Sequence, residues 1–243
     1  MMGLKHIALD EREMPTFEWK ARPRFRALSF DGIDDYVQID SSYGASGGIA
    51  EVTRSSAWSL YIIARYEGTD DVDRTLIGST SYNWNRVLRR VDGILRYIAY
   101  NGTNSVVLDG EYLNSNQIYD IAVVYGSGGY AKLYMDSVLK SSAPVISLTH
   151  GMYLIGTVSS LDQIWNGKIY LILIYNTALT DAEIKALYND PLHPPRRQNL
   201  VLWLAPGSID AVTGKWYDLS GNDNHGTIYG ATVVEEEEEV LVL

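Results

Sequence analysis

The chain has 243 residues, no cysteine, and a formal charge of −10. At 46% hydrophobic residues it can bury one large core, while its acidity argues against nucleic acid or an anionic membrane as partner. The missing cysteines exclude disulfides, thiolate nucleophiles and cysteine-based metal centres.

Residues 1–26 are charged and irregular, with Pro15 and Pro23, and are expected to form an N-terminal arm. They contain no apolar stretch of the length an export signal needs. From Ala27 the pattern changes to short strands and turns. Trp58 to Arg65 alternates so that Trp58, Leu60, Ile62 and Ala64 share one face. Ile94 to Tyr100 runs into Asn101-Gly102, a strong hairpin signal, and Ser105 to Leu108 returns. Ile118 to Tyr125 and Tyr130 to Met135 are joined by Gly126-Ser127-Gly128-Gly129, and Asp136-Ser137 turns the chain into Val138-Leu139-Lys140. Met152 to Ile155 and Lys168 to Tyr175 complete the strands of the body. Thr180-Asp181-Ala182-Glu183 is a capping box that opens one short helix. Its apolar face is read as Ile184, Leu187 and Tyr188, with Pro191 as the stop, and it is expected to pack one end of the fold. The fold class is therefore all-β: a two-sheet antiparallel β-sandwich jelly roll with one short helix near the end of the body.

Two stretches carry a family resemblance. The first is Ala27-Leu28-Ser29-Phe30-Asp31-Gly32-Ile33-Asp34-Asp35-Tyr36-Val37, a strand, a turn and a strand. The second runs from Ile155-Gly156 through Trp165-Asn166-Gly167-Lys168-Ile169 to Ile174-Tyr175-Asn176-Thr177-Ala178-Leu179 and the capped helix. Together they resemble the laminin-G-like, pentraxin-like branch of the concanavalin A-like lectins and glucanases, over roughly residues 27–190. The organisation that follows is an arm (1–26), a jelly-roll body (27–190), a proline-rich linker (191–198) and a C-terminal segment (199–243). That last segment, with Leu200 to Leu204 and Trp216 to Ala231, resembles the strands that open such domains, yet here it follows the terminal helix. It either completes the same sandwich, or begins a truncated second repeat, or pairs with a neighbouring subunit; completion within the chain is preferred. A sandwich lacking its opening strand would present an unpaired edge, a template for another chain.

The resemblance bears on chemistry as well. Related glucanases place paired carboxylates on one strand face as Glu-x-Asp-x-x-Glu, a pattern absent here. The run Glu235 to Glu239 reads as a solvated tail. His6, His150, His193 and His225 are scattered without metal or catalytic spacing, and Gly-x-Ser-x-Gly and Gly-x-Gly-x-x-Gly are both missing. Family members often hold calcium, and Asp31, Asp34 and Asp35 form the best acidic turn for it, with Asp70, Asp71 and Asp73 forming another. Where relatives tend to carry acidic ligands on the last strand, this chain has Tyr170 and Leu171, which weakens the case for a metal. For sugars, exposed aromatics beside amides and Arg are the useful groups. Tyr82, Trp84, Asn85 and Arg86 form the best such cluster; Trp165 beside Asn166 is either a further stacking ring or core.

The preferred functional expectation is a non-catalytic structural protein of a virion or surface filament. It rests on the displaced opening strands, the terminal arms and the missing export signal. Its partners would be copies of itself or other structural subunits, at an extracellular or virion surface. The alternative is a carbohydrate-binding or adhesion module of a secreted protein; a glycoside hydrolase is disfavoured.

Overall fold

The computed structural model describes residues 25–39, 49–69, 72–79, 86–148, 151–158, 160–161 and 163–236. Its strands form two antiparallel layers. At the centre of the first, β3 (Trp58–Tyr66) lies between β8 (Ile118–Ser127) and β12 (Asn166–Tyr175), and β8 continues outward to β9 (Tyr130–Met135) and β10 (Val138–Pro144). The second layer runs β14 (Lys215–Asp218), β15 (Gly226–Tyr229), β2 (Tyr36–Ile39), β11 (Leu154–Ile155), β4 (Arg74–Gly78), β5 (Arg86–Val91), β6 (Ile94–Tyr100), β7 (Ser105–Tyr112).

The free edge of β12 is shared by two strands from opposite ends of the sequence. Its residues 166–169 pair with β1 (Phe25–Asp31), and its residues 172–175 pair with β13 (Leu200–Asp210). The C-terminal segment thus pairs with the body of the same chain along this edge. β13 bulges between Leu204 and Ile209 and passes on to β14, so one hydrogen-bonded path links the two layers. β16 (Thr232–Glu236) returns to cover the other edge of β1.

Strand alternation decides what the core contains. Trp58, Leu60, Ile62 and Ala64 all point between the layers, as the pattern of β3 predicts, and meet Leu88, Leu95 and Tyr97 from the second layer. The Trp58 ring stacks on Tyr125 at 5.6 Å and meets Tyr97 edge-on at 6.1 Å. The opposite face of β3 and β12 is also buried. Tyr61, Leu173 and Tyr175 lie there beneath Ile184 and Leu187 of α2 (Asp181–Asn189), beside Trp203 of β13. The helix therefore covers a sheet face and not an end of the sandwich, because the outer face of the central strands is too apolar to meet water. The expected capping box is present, with the Thr180 side chain accepting from the Glu183 backbone N–H at 3.2 Å. A second helix, α1 (Ile49–Val52), is one turn long.

Turn chemistry follows the residue types. Asp136 and Ser137 both adopt positive φ (50° and 63°), the conformation a tight hairpin between β9 and β10 demands. Asn101 accepts hydrogen bonds from the backbone of Thr103 and Asn104, so the hairpin between β6 and β7 is a side-chain-stabilised loop of four residues, longer than the two-residue turn its Asn-Gly pair suggests. The proline-rich linker is tied down: Arg196 bonds Glu183 at 3.0 Å, and the Arg197 guanidinium lies 4.2 Å over the Trp203 ring.

Candidate functional site

A groove of about 690 Å³ opens on the outer face of β3, β8 and β12, beside the C-terminal end of α2. Its floor follows from alternation. Ile63 on β3 and Asp120 on β8 sit opposite one another and point away from the core, with Ile118 next along β8. On β12 a bulge between Ile169 and Leu171 inserts an extra residue. The bulge lets Tyr170 and Leu171 both face outward, while Ile169 and Ile172 stay in the core. One wall is the end of the helix and the residues that follow it, Tyr188 to Leu192, and the other is Pro206 of β13 and Glu236 of β16.

The polar groups of the groove are held by neighbours. The Tyr61 hydroxyl donates to the Asp120 carboxylate. The backbone N–H of Asp120 donates to Asp136 Oδ1 at 3.0 Å, and that of Asp136 donates to the Asp120 carbonyl at 2.8 Å. The Tyr170 hydroxyl donates to Glu236 Oε2 at 2.6 Å, while Glu236 Oε1 takes hydrogen bonds from Arg65 and Lys168. Burial, reinforced by these carboxylate contacts, pushes the hydroxyls of Tyr61 and Tyr170 well above the ordinary phenol range, so both remain neutral donors. Burial would raise the Glu236 carboxyl too. The donors Lys168 and Tyr170 and the charges of Arg65 and Lys168 outweigh it and hold that carboxyl below its usual range. Glu236 is thus a fixed part of a wall and no solvated tail residue, which corrects the expectation for the start of the 235–239 run.

The residues singled out from the sequence lie elsewhere. Tyr82, Trp84 and Asn85 fall outside the described residues, as does the side chain of Arg86, whose backbone begins β5. Trp165 is 1% exposed and packs at 5.6 Å against Tyr66 in the main core. It offers no face to a sugar, because the outward alternation of its segment belongs to Asn166, and the stacking role is withdrawn. Asp31, Asp34 and Asp35 do come together, with carboxylate oxygens all within 4.8 Å. Two of the three serve the turn: Asp31 Oδ1 accepts from the Ile33 N–H and Asp35 Oδ2 from the Asp31 N–H, each at 2.8 Å, around Gly32 at φ +82°. Burial, with the charges of Asp31 and Asp34, raises the Asp35 carboxyl against the lowering effect of the Asp31 N–H. His225 is structural; its Nδ1 accepts from the Asp218 N–H at 3.1 Å.

Sequence reasoning missed Tyr170, Tyr188, Asp136 and Glu236 as one group. Tyr188 was assigned to the apolar face of the helix, yet it is 43% exposed and looks into the groove. The available signal was the outward register of Ile63, Ile118 and Asp120, whose apolar and acidic mix suits neither core nor open surface.

A laminin G family model, described as the concanavalin A-like lectin/glucanases superfamily, matches residues 31–185. The chain belongs to this superfamily. The match ends inside α2, before β13 to β16 begin. Among solved structures, a candidate carbohydrate-binding protein of Bacteroides ovatus ATCC 8483 superposes with a TM-score of 0.67 at 18% identity, covering 88% of this chain. The lectin-like chain spans only 61% of that protein's length. A heptameric SAP-like pentraxin from Limulus polyphemus gives 0.59 at 13% identity, covering 90% of this chain and 98% of its own. A structure of botulinum neurotoxin type C, whose cell entry depends on interaction with two ganglioside molecules, gives 0.50 at 15% identity over 69% of this chain and 46% of its own. Identities this low show a common fold and no more. No curated protein matches the sequence.

Proposed function

We propose that this chain is a non-catalytic carbohydrate-binding module that takes a glycan in the groove above β3, β8 and β12. One observation carries the reading: the groove combines an aromatic and aliphatic surface with fixed polar groups. Tyr188, Pro191 and Leu192 supply the apolar contact, and Gln117, Asn189 and Asp136 supply hydrogen-bonding partners for ring hydroxyls. At about 690 Å³ it lies within the size range of small-ligand sites. The carbohydrate binding ascribed to the Bacteroides ovatus protein agrees with this reading.

The virion or filament expectation rests on the displaced opening strands, the terminal arms and the missing export signal. Within this chain the C-terminal strands pair with β12, β1 and β2, which favours a self-contained binding module.

The test is glycan-array binding followed by calorimetry on the best hit, with Tyr188→Ala and Trp84→Ala compared. Tyr188 is on the rim and outside the buried clusters, so its removal leaves the fold intact by circular dichroism. Loss of one aromatic contact is expected to weaken binding about tenfold. Binding that survives Tyr188→Ala but disappears in Trp84→Ala would move the site to the 82–86 cluster.

A further inference from the structure

The groove carries an uneven charge. Among the described residues its lining includes four carboxylates, Asp120, Asp136, Asp190 and Glu236, and no Lys or Arg. Glu236 is answered by Arg65 and Lys168, which it shares with Glu67 just beyond the wall. Asp190 is met by His193 at 2.9 Å, on the exposed side. Asp136 has a backbone N–H as its hydrogen-bond donor and, among the described residues, no cation within ion-pair distance. Tyr61 beneath the groove feels the same field: after burial, Asp120 and Asp136 are what hold its proton on.

We infer that the groove selects glycans by charge, taking sugars that carry a protonated amine, of the hexosamine class, ahead of neutral sugars and rejecting those that carry carboxylate or sulfate. The inference rests on the glycan-binding reading and sharpens it. An ammonium placed between Asp136 and the exposed ring of Tyr188 would meet a carboxylate on one side and an electron-rich face on the other. An anionic sugar in the same place would be held against at least one uncompensated carboxylate in a partly desolvated cleft, a like-charge contact that works as rejection. The molecule's charge of −10 adds a weaker, longer-range bias of the same sign.

The experiment measures calorimetric affinities of the full chain for three length-matched probes: N-acetylglucosamine tetramer, its fully de-N-acetylated counterpart, and a galacturonic acid tetramer. A mildly acidic buffer keeps the amines protonated and ordinary carboxylates ionised. The expected order is amine, then neutral, then acid, with steps of about five- to tenfold that shrink with added salt. Asp136→Asn is the decisive variant, because its amide oxygen can still accept from the Asp120 N–H and Asn tolerates the positive φ at this turn. It should bring the amine and neutral probes within about twofold of each other. A neutral tetramer that binds and is lost in Tyr188→Ala, with a flat or inverted charge series, would overturn the selectivity and leave the glycan reading standing. An amine preference untouched by Asp136→Asn would overturn it as well, reducing it to attraction by the whole acidic molecule. No binding by any probe, in a chain that binds nothing on the array, would bring down the glycan reading and the inference with it.

Discussion

Because the chain has no cysteine, a single engineered disulfide can report how the opening strands are paired. Ser29 on β1 and Thr232 on β16 are directly opposite in an antiparallel ladder. Such pairs have Cα separations of about 4.5–5.5 Å, inside the span a disulfide bridges. The double variant Ser29→Cys, Thr232→Cys should therefore oxidise within one chain. The bridge closes a loop of 232 − 29 = 203 residue steps. In the chain-entropy limit a loop of that length stabilises the fold by about 5 kcal/mol. For a domain of this size that raises Tm by roughly 10–20 °C, an increment that vanishes on adding reductant. The assay is non-reducing electrophoresis with light scattering at low concentration, followed by thermal melts with and without reductant. Covalent dimers or ladders in place of a bridged monomer would show that β16 pairs with a neighbour, restoring the assembly role. Free thiols that never join would show that β1 and β16 are in another register.

Two further perturbations probe the same C-terminal segment. Trp216 is fully buried and its indole N–H donates to the Ala205 carbonyl at 2.8 Å. Trp216→Ala should cost about 3–5 kcal/mol in urea unfolding from the cavity it leaves, the Ala205 carbonyl keeping the Ser208 hydroxyl as a donor, and a loss below about 1 kcal/mol would show that β14 does not close the core. Glu236→Gln should cost about 2 kcal/mol at neutral pH, because the carboxylate holds Arg65, Lys168 and the Tyr170 hydroxyl. The folded carboxyl lies below its usual range, so the stability it contributes is complete above the unfolded value, about pH 4.3, and is lost as pH falls through the folded value. The gap between wild type and variant should close in acid; a gap independent of pH would mean that packing and not charge holds β16.

Much of the fold was legible because alternation and turn chemistry are local. The Trp58 to Ala64 pattern, the Asp136-Ser137 turn and the Thr180 capping box each specify their geometry within a few residues. The helix position was not, because Tyr61, Leu173 and Tyr175 read as parts of ordinary strands until the doubly buried face is seen. The sequence favours completion within the chain but does not name the edge, for a similar reason: strand character is local, while the choice of partner edge depends on which edge remains vacant. β1 covers only residues 166–169 of β12, and the vacancy at 172–175 is what β13 fills.

The candidate site illustrates the harder case. Asp136 comes from a hairpin turn, Tyr170 from a bulge, Tyr188 from a helix end and Glu236 from the last described strand, so up to 100 residues (236 − 136) separate groups that line one groove. No spacing rule covers such a set. Each residue had a sufficient local explanation as turn former, ligand replacement, helix face or acidic tail. The bulge on β12 connects them. Without the extra residue between Ile169 and Leu171, alternation would force one of Tyr170 and Leu171 into the core, and either the polar ring or the anchor beneath the helix would be lost. At the position where relatives tend to carry acidic ligands, this chain presents a tyrosine to a groove wall built by its own C-terminal strand.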